Sequence, residues 1–250
     1  MPSPAETATG RPDGRAPAEL RPVEIEAGFM RSADGSALIG VGGTRVICTA
    51  SLVEGVPSWR EGSGRGWLTA EYGMLPASTG VRRQRDSARG RPDGRTVEIQ
   101  RLIGRSLRAV VDLEALGERS VYVDCDVLQA DGGTRCAAIT GGYVALRHGL
   151  AKLLEAGELE RDPLAGSIAA VSCGVVDGEA LLDLDYSEDS RAEVDANVVM
   201  SDDGGLVEVQ ATAERTPVSR ASLDELLALA EPAIAQLGEA QRAAVAGIAD

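Results

Sequence analysis

Residues 131–135 of the chain, DGGTR, combine groups that are suited to hold an anion. This glycine turn lies between an alternating apolar run and a long segment rich in Ala and Leu, which predicts a junction between a strand and a helix. Gly132 and Gly133 let a ligand come close to the backbone, and the first N–H groups of a helix have no partner inside the helix. Arg135 adds a planar cation that suits phosphate. A tight turn capped by Thr134 explains the same residues, so both interpretations stay open at this point.

Positive charge is concentrated in one stretch of a chain whose formal net charge is −14. Residues 82–108 contain nine arginines and three acidic residues. Arg82, Arg83 and Arg85 fall in an irregular segment, where they suit contact with a polyanion backbone or simply keep a loop soluble. Arg95 differs, because it directly precedes a predicted helix and can act with the helix dipole on one anion. The stretch therefore contains a second candidate position for an anion.

Negative charge is concentrated in residues 183–195, the acidic segment. Its carboxylates are Asp183, Asp185, Glu188, Asp189, Glu193 and Asp195. Asp183 and Asp185 alternate on a predicted strand, and the others lie at or just after its end. Repulsion makes such a cluster costly unless a cation binds or the pKa values rise. Because Mg²⁺ takes one or two carboxylates together with substrate phosphates, Asp189 and Asp195 are candidates for a metal or acid site, with a solvated acidic turn as the alternative.

Several common chemistries are not supported by the sequence. It contains no G-x-G-x-x-G after a strand, no G-x-x-x-x-G-K-[ST] and no G-x-S-x-G motif. The four cysteines are widely spaced, and the single histidine, His148, lies in a predicted helix, which argues against a zinc site and a nucleophilic triad. Since most of the cysteines fall in apolar strand-like runs, we expect buried free thiols in a reducing cytoplasm.

Composition limits the class of protein further. The net charge of −14 argues against a protein that coats DNA or RNA generally, because such binding needs a net basic face. No apolar run approaches the roughly 20 residues of a membrane span, and the first residues lack the charged and apolar regions of a signal peptide. We therefore expect a soluble, cytoplasmic protein with no membrane or DNA partner, in which any nucleic-acid role is local.

The first part of the chain supplies the elements that must position these groups. Residues 1–15 are rich in Pro, Ala and Gly, and we expect them to be disordered. Three apolar runs between residues 23 and 53, separated by glycine-containing turns, predict a β-meander. Residues 61–94 have no consistent period and are expected to form a long loop.

Helical and strand periods then alternate around the glycine turn. An apolar stripe predicts a helix from Thr96 to about Gly117, followed by a strand through residues 121–128. Apolar residues at helical spacing predict a second helix over residues 137–156. The glycine turn is thus expected to join a strand directly to the N-terminus of a helix.

The second half of the chain predicts two hairpins and a final helix. The first hairpin turns at Asp177-Gly178, and the second joins residues 197–201 to residues 206–213. The capping box from Ser222 to Glu225 is expected to open the last helix. Strands and helices do not alternate strictly enough for a doubly wound sheet, so the order favours an α+β fold with mixed sheets.

Five motifs in this chain resemble those of the ribonuclease PH family of phosphorolytic exoribonucleases. They are GWLTAEYGMLP at residues 66–76, GRTVEIQRLIGRSLRAVVDL at residues 94–113, DCDVLQADGGTR at residues 124–135, EDSRAEVDANVVM at residues 188–200 and VEVQATAE at residues 207–214. The resemblance extends from about residue 11 to residue 237. It implies an α+β fold of duplicated βαβ units similar to a domain of ribosomal protein S5, with helices packed between mixed sheets.

The resemblance also implies a domain organisation and an activity. One catalytic domain over residues 16–246 would have two halves, residues 16–157 and 158–246, with a tail at residues 247–250. The implied activity is a phosphate-dependent 3′-to-5′ exoribonuclease that trims transfer RNA precursors and other RNA 3′ ends. Inorganic phosphate attacks the last phosphodiester, nucleoside diphosphates are released, and Mg²⁺ or Mn²⁺ is the implied metal.

Site residues carry over from the family by position. The phosphate site falls on Arg95, Gly133, Thr134 and Arg135. The carboxylates implicated in acid catalysis or metal binding fall on Asp189 and Asp195. Arg82 and Arg85 match loop arginines that hold transfer RNA, and Arg83 is expected to share this role because the chain has Ala77 where relatives often have arginine.

The resemblance further implies an assembly, a homo-hexamer built as a trimer of dimers. Such a ring would reconcile the net negative charge with RNA binding, because basic loops from several subunits can face one pore. A non-catalytic RNA-binding subunit of a larger exonuclease ring is the alternative; those relatives typically lack the phosphate-site arginines or the acidic pair. The double-length relative polynucleotide phosphorylase fits less well, since 250 residues hold one copy of the unit.

Overall fold

The computed structural model describes residues 11–85, 88, 90–91, 93–214 and 217–246. In that part of the chain nine strands form two sheets, joined or covered by five α-helices and a 3₁₀ helix at Ser58–Arg60. The strands are β1 (Val23–Ala27), β2 (Gly35–Val41), β3 (Thr44–Glu54), β4 (Trp67–Met74), β5 (Arg119–Gln129), β6 (Ile168–Val176), β7 (Glu179–Leu182), β8 (Val194–Ser201) and β9 (Leu206–Ala213). The helices are α1 (Gly94–Arg108), α2 (Leu113–Leu116), α3 (Thr134–Glu155), α4 (Tyr186–Asp189) and α5 (Arg220–Ala246).

The first sheet has the strand order β1-β2-β3-β5-β4. Its neighbours are antiparallel except β4 and β5, which run parallel and are connected through α1 and α2. Val121, Val123, Cys125 and Val127 of β5 are all buried, because alternate side chains of a strand point to the same face. The predicted β-meander and the strand before the glycine turn are both confirmed.

Helix α3 lies between the two sheets. It packs against β2 and β3 of the first sheet and against β6 of the second. Ile139, Leu146 and Leu150 are fully buried, and a helix buried around most of its circumference belongs between two layers. Its N-terminus, at Thr134, is thereby held beside the second sheet.

The second sheet has the order β7-β6-β8-β9 and is antiparallel throughout. Short turns join β6 to β7 and β8 to β9, and such turns link only antiparallel strands, so the two predicted hairpins are confirmed. Helix α5 covers this sheet with Leu226, Ala230, Ile234 and Leu237. The α+β fold class, with one mixed sheet, is confirmed.

The predicted loop at residues 61–94 contains strand β4, so the prediction was wrong over Trp67–Met74. Leu68, Ala70 and Tyr72 are buried while the residues between them are more exposed, which is the period of a strand. The parallel pairing of β4 with the buried strand β5 stabilises this short element.

Two predicted helix boundaries were also wrong. Helix α1 ends at Arg108 rather than near Gly117, because the carboxylate of Asp112 accepts the N–H groups of Glu114 and Ala115 and starts the separate helix α2. Helix α5 begins at Arg220, ahead of the predicted capping box at Ser222. Its start is stabilised by the Ser219 hydroxyl, which accepts the Ser222 N–H at 3.0 Å.

Residues 11–15 were expected to be disordered, and that part of the prediction was wrong. Arg11 is only 7% exposed, and its guanidinium donates two hydrogen bonds to Glu188, which lies 177 residues away in the sequence. Local composition contains no information about a partner at that separation. Residues 1–10 of the expected disordered segment and the expected tail at residues 247–250 lie outside the described residues.

The described helices and thiols agree with two further expectations. None of the helices in the described ranges combines the length and the apolar content needed to cross a membrane. Cys48, Cys125, Cys136 and Cys173 are all buried and free, which confirms the prediction of unpaired thiols. Burial raises the pKa of Cys173 to about 12, so this thiol is unreactive.

Candidate active site

One cavity of about 840 Å³ brings the predicted chemistry together. Its wall is formed by the N-terminal end of α3, the first turn of α1, helix α4, and side chains of β6 and β8. The predicted site residues that line it are Arg82, Arg83, Arg95, Gly133, Thr134, Arg135, Asp189 and Asp195. Arg85 is exposed on the same loop but does not line the cavity. The fold therefore collects cations and carboxylates from distant parts of the chain around a single space.

The glycine turn opens helix α3 toward this cavity. Gly132 and Gly133 have φ angles of 74° and 65°, in the left-handed region that favours glycine. A Cβ atom at Gly132 would overlap the carbonyl oxygen of Leu184, so only glycine lets the turn lie against the acidic segment. No side chain of the described residues caps the first turn of α3, which leaves its N–H groups and the helix dipole for an anion.

Thr134 adds a hydroxyl to the same helix end. Its side chain is buried, and its Oγ1 lies 2.9 Å from the hydroxyl of Tyr72 on β4. Burial raises the pKa of Tyr72 even though the bond to Thr134 and the charges of two nearby arginines act in the opposite direction. The phenol is therefore protonated at neutral pH, and when it donates to Thr134 the threonine proton is directed to a ligand.

Two arginines flank the helix end. Arg95 lies in the first turn of α1 and is exposed, and its guanidinium forms no hydrogen bond or ion pair with the other described residues. Arg135 is more enclosed. Its Nη1 donates to Gln210 Oε1 at 3.0 Å and lies 3.4 Å from Glu98 Oε1. One guanidinium is thus held in place while the other is available to a ligand, an arrangement suited to a phosphate group.

The two predicted carboxylates face these arginines. Burial raises the pKa of Asp189, while the charges of Arg95 and Arg135 lower it by less. Burial also raises the pKa of Asp195, and repulsion from Asp189 raises it further. The charges of the same two arginines act in the opposite direction. Carboxyls with raised pKa values at a cavity are suited to hold a proton for transfer, or to bind a cation that relieves their repulsion.

The rest of the acidic segment does not contribute carboxylates to the cavity. Asp183 and Glu188 are buried and paired with Arg21 and Arg11, and Asp185 caps helix α4. Strand β7 ends at Leu182, so the expectation that Asp183 and Asp185 lie on a strand was wrong. Asp183 has a φ of 51°, which ends the extended backbone there.

Three further residues of the cavity wall were missed by sequence reasoning. Ser172 on β6 and Asn197 on β8 are opposite each other in the sheet register, and Tyr186 opens α4. Ser172 is 5% exposed, and its hydroxyl has no hydrogen-bond partner among the described residues. The apolar residues around Ser172 conceal it in the sequence, whereas Asn197 interrupts an apolar strand two residues after Asp195 and could have been found.

The arginine loop, residues 82–85, contributes Arg82, Arg83 and Gln84 to the cavity wall. Arg82 and Arg85 are exposed, and Arg83 lies 3.7 Å from a carboxylate oxygen of Asp93. A mobile or adaptable polyanion can therefore reach these guanidinium groups without displacing a buried contact.

The two carboxylates at the cavity, Asp189 and Asp195, are candidate metal ligands. Within the described ranges there is no group of three or more His, Cys, Asp or Glu side chains that could hold a metal ion by themselves. Asp189 and Asp195 alone fit Mg²⁺, which takes one or two carboxylates and completes its shell with water and substrate phosphates. The side chains present are compatible with such an ion, but not with an all-protein metal cage.

Comparisons with known proteins point to one family. Residues 19–150 match the model of domain 1 of the 3′ exoribonuclease family RNase_PH, and residues 166–233 match that of domain 2. A protein of Maricaulis maris strain MCS10 named ribonuclease PH is 58% identical over 237 residues, covering 95% of this chain and 100% of that protein.

Solved structures share the fold. The archaeal exosome of Archaeoglobus fulgidus, described with RNA bound to its active site, has a chain 25% identical with a TM-score of 0.80, covering 92% of both chains. Rice Rrp46 is 20% identical with a TM-score of 0.76, covering 94% of this chain and 100% of that one.

Proposed function

Because the chain belongs to the ribonuclease PH family of 3′ exoribonucleases, we propose that the cavity at the start of α3 binds inorganic phosphate and directs it at the 3′ end of an RNA. The protein is a phosphate-dependent 3′-to-5′ exoribonuclease. Its substrates are RNAs, and transfer RNA precursors are the proposed physiological class.

The observation that carries this proposal is the position of the two carboxylates opposite the helix end. The N-terminus of α3, Arg95 and Arg135 can neutralise and orient a phosphate. Asp189 and Asp195 line the same cavity and have raised pKa values. A simple anion-binding site would gain nothing from two carboxyls beside the anion, whereas a phosphoryl-transfer site needs a proton donor there.

The proposed reaction needs no protein nucleophile. A phosphate oxygen attacks the phosphorus of the last phosphodiester, a new P–O–P bridge forms, and the bond to the 3′ oxygen of the preceding nucleotide breaks. The released 3′ oxygen takes up a proton, which Asp189 or Asp195 supplies, and the nucleoside leaves as its diphosphate. Thr134 and the two arginines hold the attacking phosphate in line, so positioning and charge neutralisation provide most of the rate enhancement.

A divalent metal is a further part of the proposal. Asp189 and Asp195 would hold Mg²⁺, or Mn²⁺ in its place, together with phosphate oxygens of the substrate. When bound, such an ion stabilises negative charge on the scissile phosphoryl group.

RNA contact and assembly are proposed on the basis of charge. Arg82, Arg83 and Arg85 would contact the RNA backbone as it enters the cavity, since Arg82 and Arg83 line the cavity and Arg85 is exposed on the same loop. We propose a homo-hexamer, a trimer of dimers, in which these loops face one pore while the excess acidic charge faces outward. A solution mass six times that of the chain is the expected result.

The cellular location is also a proposal. Four buried free thiols are compatible with a reducing compartment, because paired cysteines predominate in oxidising ones. We place the protein in the cytoplasm, where RNA processing supplies its substrates.

A direct assay tests the function. The protein is incubated with a 3′-extended transfer RNA and Mg²⁺, with and without inorganic phosphate, and the released nucleotides are separated by charge. Nucleoside diphosphates that appear only with phosphate are expected. Nucleoside monophosphates would indicate hydrolysis instead, and RNA binding without any product would favour a non-catalytic ring subunit.

A further inference from the structure

Residues 11–21 do not line the cavity, but they form a clasp that holds the acidic segment. We infer that this N-terminal clasp is part of the active site and that Arg11 and Arg21 are positioning residues for Asp189 and for the glycine turn. The inference deepens the proposed function, since it rests on the role proposed for Asp189. It assigns a task to a part of the chain whose composition suggested disorder.

Arg11 fixes the residue next to the catalytic carboxylate. Its Nε and Nη2 atoms each donate to one carboxylate oxygen of Glu188 at 2.8 Å, and the Nη2 also donates to the Asp183 carbonyl at 3.0 Å. The side chains of Arg11 and Glu188 are 2% and 0% exposed. A paired fork of this kind permits only one relative orientation of the two side chains.

Arg21 fixes the start of the same segment and joins it to the glycine turn. Its Nε and Nη2 donate to the two carboxylate oxygens of Asp183 at 3.0 and 2.7 Å, and its backbone N–H donates to Asp183 at 2.8 Å. The remaining Nη1 donates to the backbone carbonyl of Asp131. One guanidinium therefore connects the phosphate side of the cavity with the carboxylate side.

The contacts continue from the clasp to Asp189. Glu188 accepts the Asp185 N–H at 3.1 Å while Asp185 accepts the Glu188 N–H at 3.0 Å, which closes helix α4 at its start. The Asp189 N–H then donates to the Asp185 carbonyl at 2.9 Å. A movement of Glu188 must therefore move Asp189 by way of the shared turn.

Helix α4 cannot hold this geometry alone. It has four residues, and isolated helices shorter than about 12 residues are marginal in water. Buried ion pairs add little net stability, but they select one arrangement of the groups they join. The clasp accordingly provides orientation more than stability.

The test removes the Arg11–Glu188 ion pair, and Arg15, which lies 3.6 Å from Glu188, keeps Asp13 and Asp183 as carboxylate partners. In the double variant Arg11→Met with Glu188→Met, apolar side chains of similar length replace both partners, and the fold is retained. We expect kcat to fall by about 10²-fold, the effect of a misplacement of roughly 1 Å, while KM for phosphate changes little because the glycine turn is intact. The matched control is Arg191→Met, two residues from Asp189. It removes an exposed guanidinium that pairs with Asp177, and it is expected to retain wild-type kcat.

A second measurement reads the position of Asp189 without using activity. The backbone N–H of Asp189, which donates to the Asp185 carbonyl at 2.9 Å, is followed by amide hydrogen exchange. The double variant is expected to exchange this proton faster, because the turn that holds it opens more often. An unchanged Asp189 exchange rate, or a well-folded double variant with wild-type kcat, would overturn the inference. Wild-type protein that releases no nucleoside diphosphate would overturn the proposed function, and the exchange rate would still decide the role of the clasp.

Discussion

The glycine turn and the acidic segment form opposite sides of one cavity, but they are built in different ways. The turn uses five consecutive residues, two left-handed glycines and the N–H groups of a helix that begins at once. The acidic segment presents only Asp189 and Asp195 to the cavity. Its carboxylates Asp183 and Glu188 are paired with arginines that lie 162 and 177 residues away in the sequence. Binding an anion requires mainly backbone geometry, whereas placing a proton donor requires long-range packing.

The largest effect on activity is expected at the carboxylate side of the cavity. Asp195→Asn removes a group with a raised pKa that either donates the proton or holds the metal. We expect kcat to fall by about 10³-fold, within the usual range for loss of an acid–base group, while RNA still binds. Single-turnover phosphorolysis and a filter-binding assay on the same preparation give the two quantities, and full activity would move the acid role elsewhere.

Asp195→Asn is expected to increase the stability of the fold although it lowers activity. Because burial raises the pKa of Asp195 in the folded protein, the unfolded chain releases this proton first as pH rises, and the folded state loses stability through that range. Asp195→Asn should therefore raise Tm at pH 7 to 8 in the presence of EDTA. The gain should disappear below about pH 4, where the carboxyl is protonated in both states. An equal or lower Tm at neutral pH would show that the carboxylate is satisfied in the fold.

On the phosphate side, Arg135→Ala is expected to lower kcat/KM for phosphate by about 10²-fold, because it removes a preorganised cation from the attacking group. Arg105→Ala is the matched control. Arg105 also pairs with a β9 side chain, Glu208, but its guanidinium is half exposed and does not line the cavity. The comparison is made at limiting phosphate, and unchanged turnover of Arg135→Ala there would remove this residue from the phosphate site.

The same difference, between local backbone geometry and long-range packing, explains which features could be predicted from the sequence. The glycine turn was located correctly because residues 131–135 and the adjoining strand and helix periods contain all the information it needs. Asp189 and Asp195 were named as a candidate metal or acid site from the cluster of charge, and the resemblance then gave them their role. Sequence alone could not predict that Asp183 and Glu188 are neutralised by distant arginines of the clasp. Strand β4 was missed although Leu68, Ala70 and Tyr72 alternate, because its neighbour β5 lies far away in the sequence.

A pair of glycine variants tests whether the turn depends on its contact with the acidic segment. Gly132 and Gly178 have similar φ angles of 74° and 80°, but an added Cβ meets the Leu184 carbonyl at Gly132 and nothing within 4 Å at Gly178. Gly178→Ala should cost about 1–2 kcal/mol from backbone strain alone. Gly132→Ala should cost more, measured by urea denaturation, and should also raise KM for phosphate. Equal costs would mean that the two regions of the cavity wall adjust independently.

The smallest expected effect lies at the hydroxyl pair beneath the phosphate. Tyr72→Phe leaves the ring packed in β4 and removes only the 2.9 Å hydrogen bond to Thr134, so the threonine proton is no longer directed to the ligand. A neutral hydrogen bond is worth about 0.5–1.5 kcal/mol, which corresponds to a loss of roughly 2- to 12-fold in kcat/KM for phosphate. Tyr143→Phe, in the interior of α3 and away from the cavity, is the control and should leave this ratio unchanged. If Tyr72→Phe instead reduced kcat as strongly as Asp195→Asn, the phosphate side would also depend on a side chain that orients a proton, and the contrast between the two sides would fail.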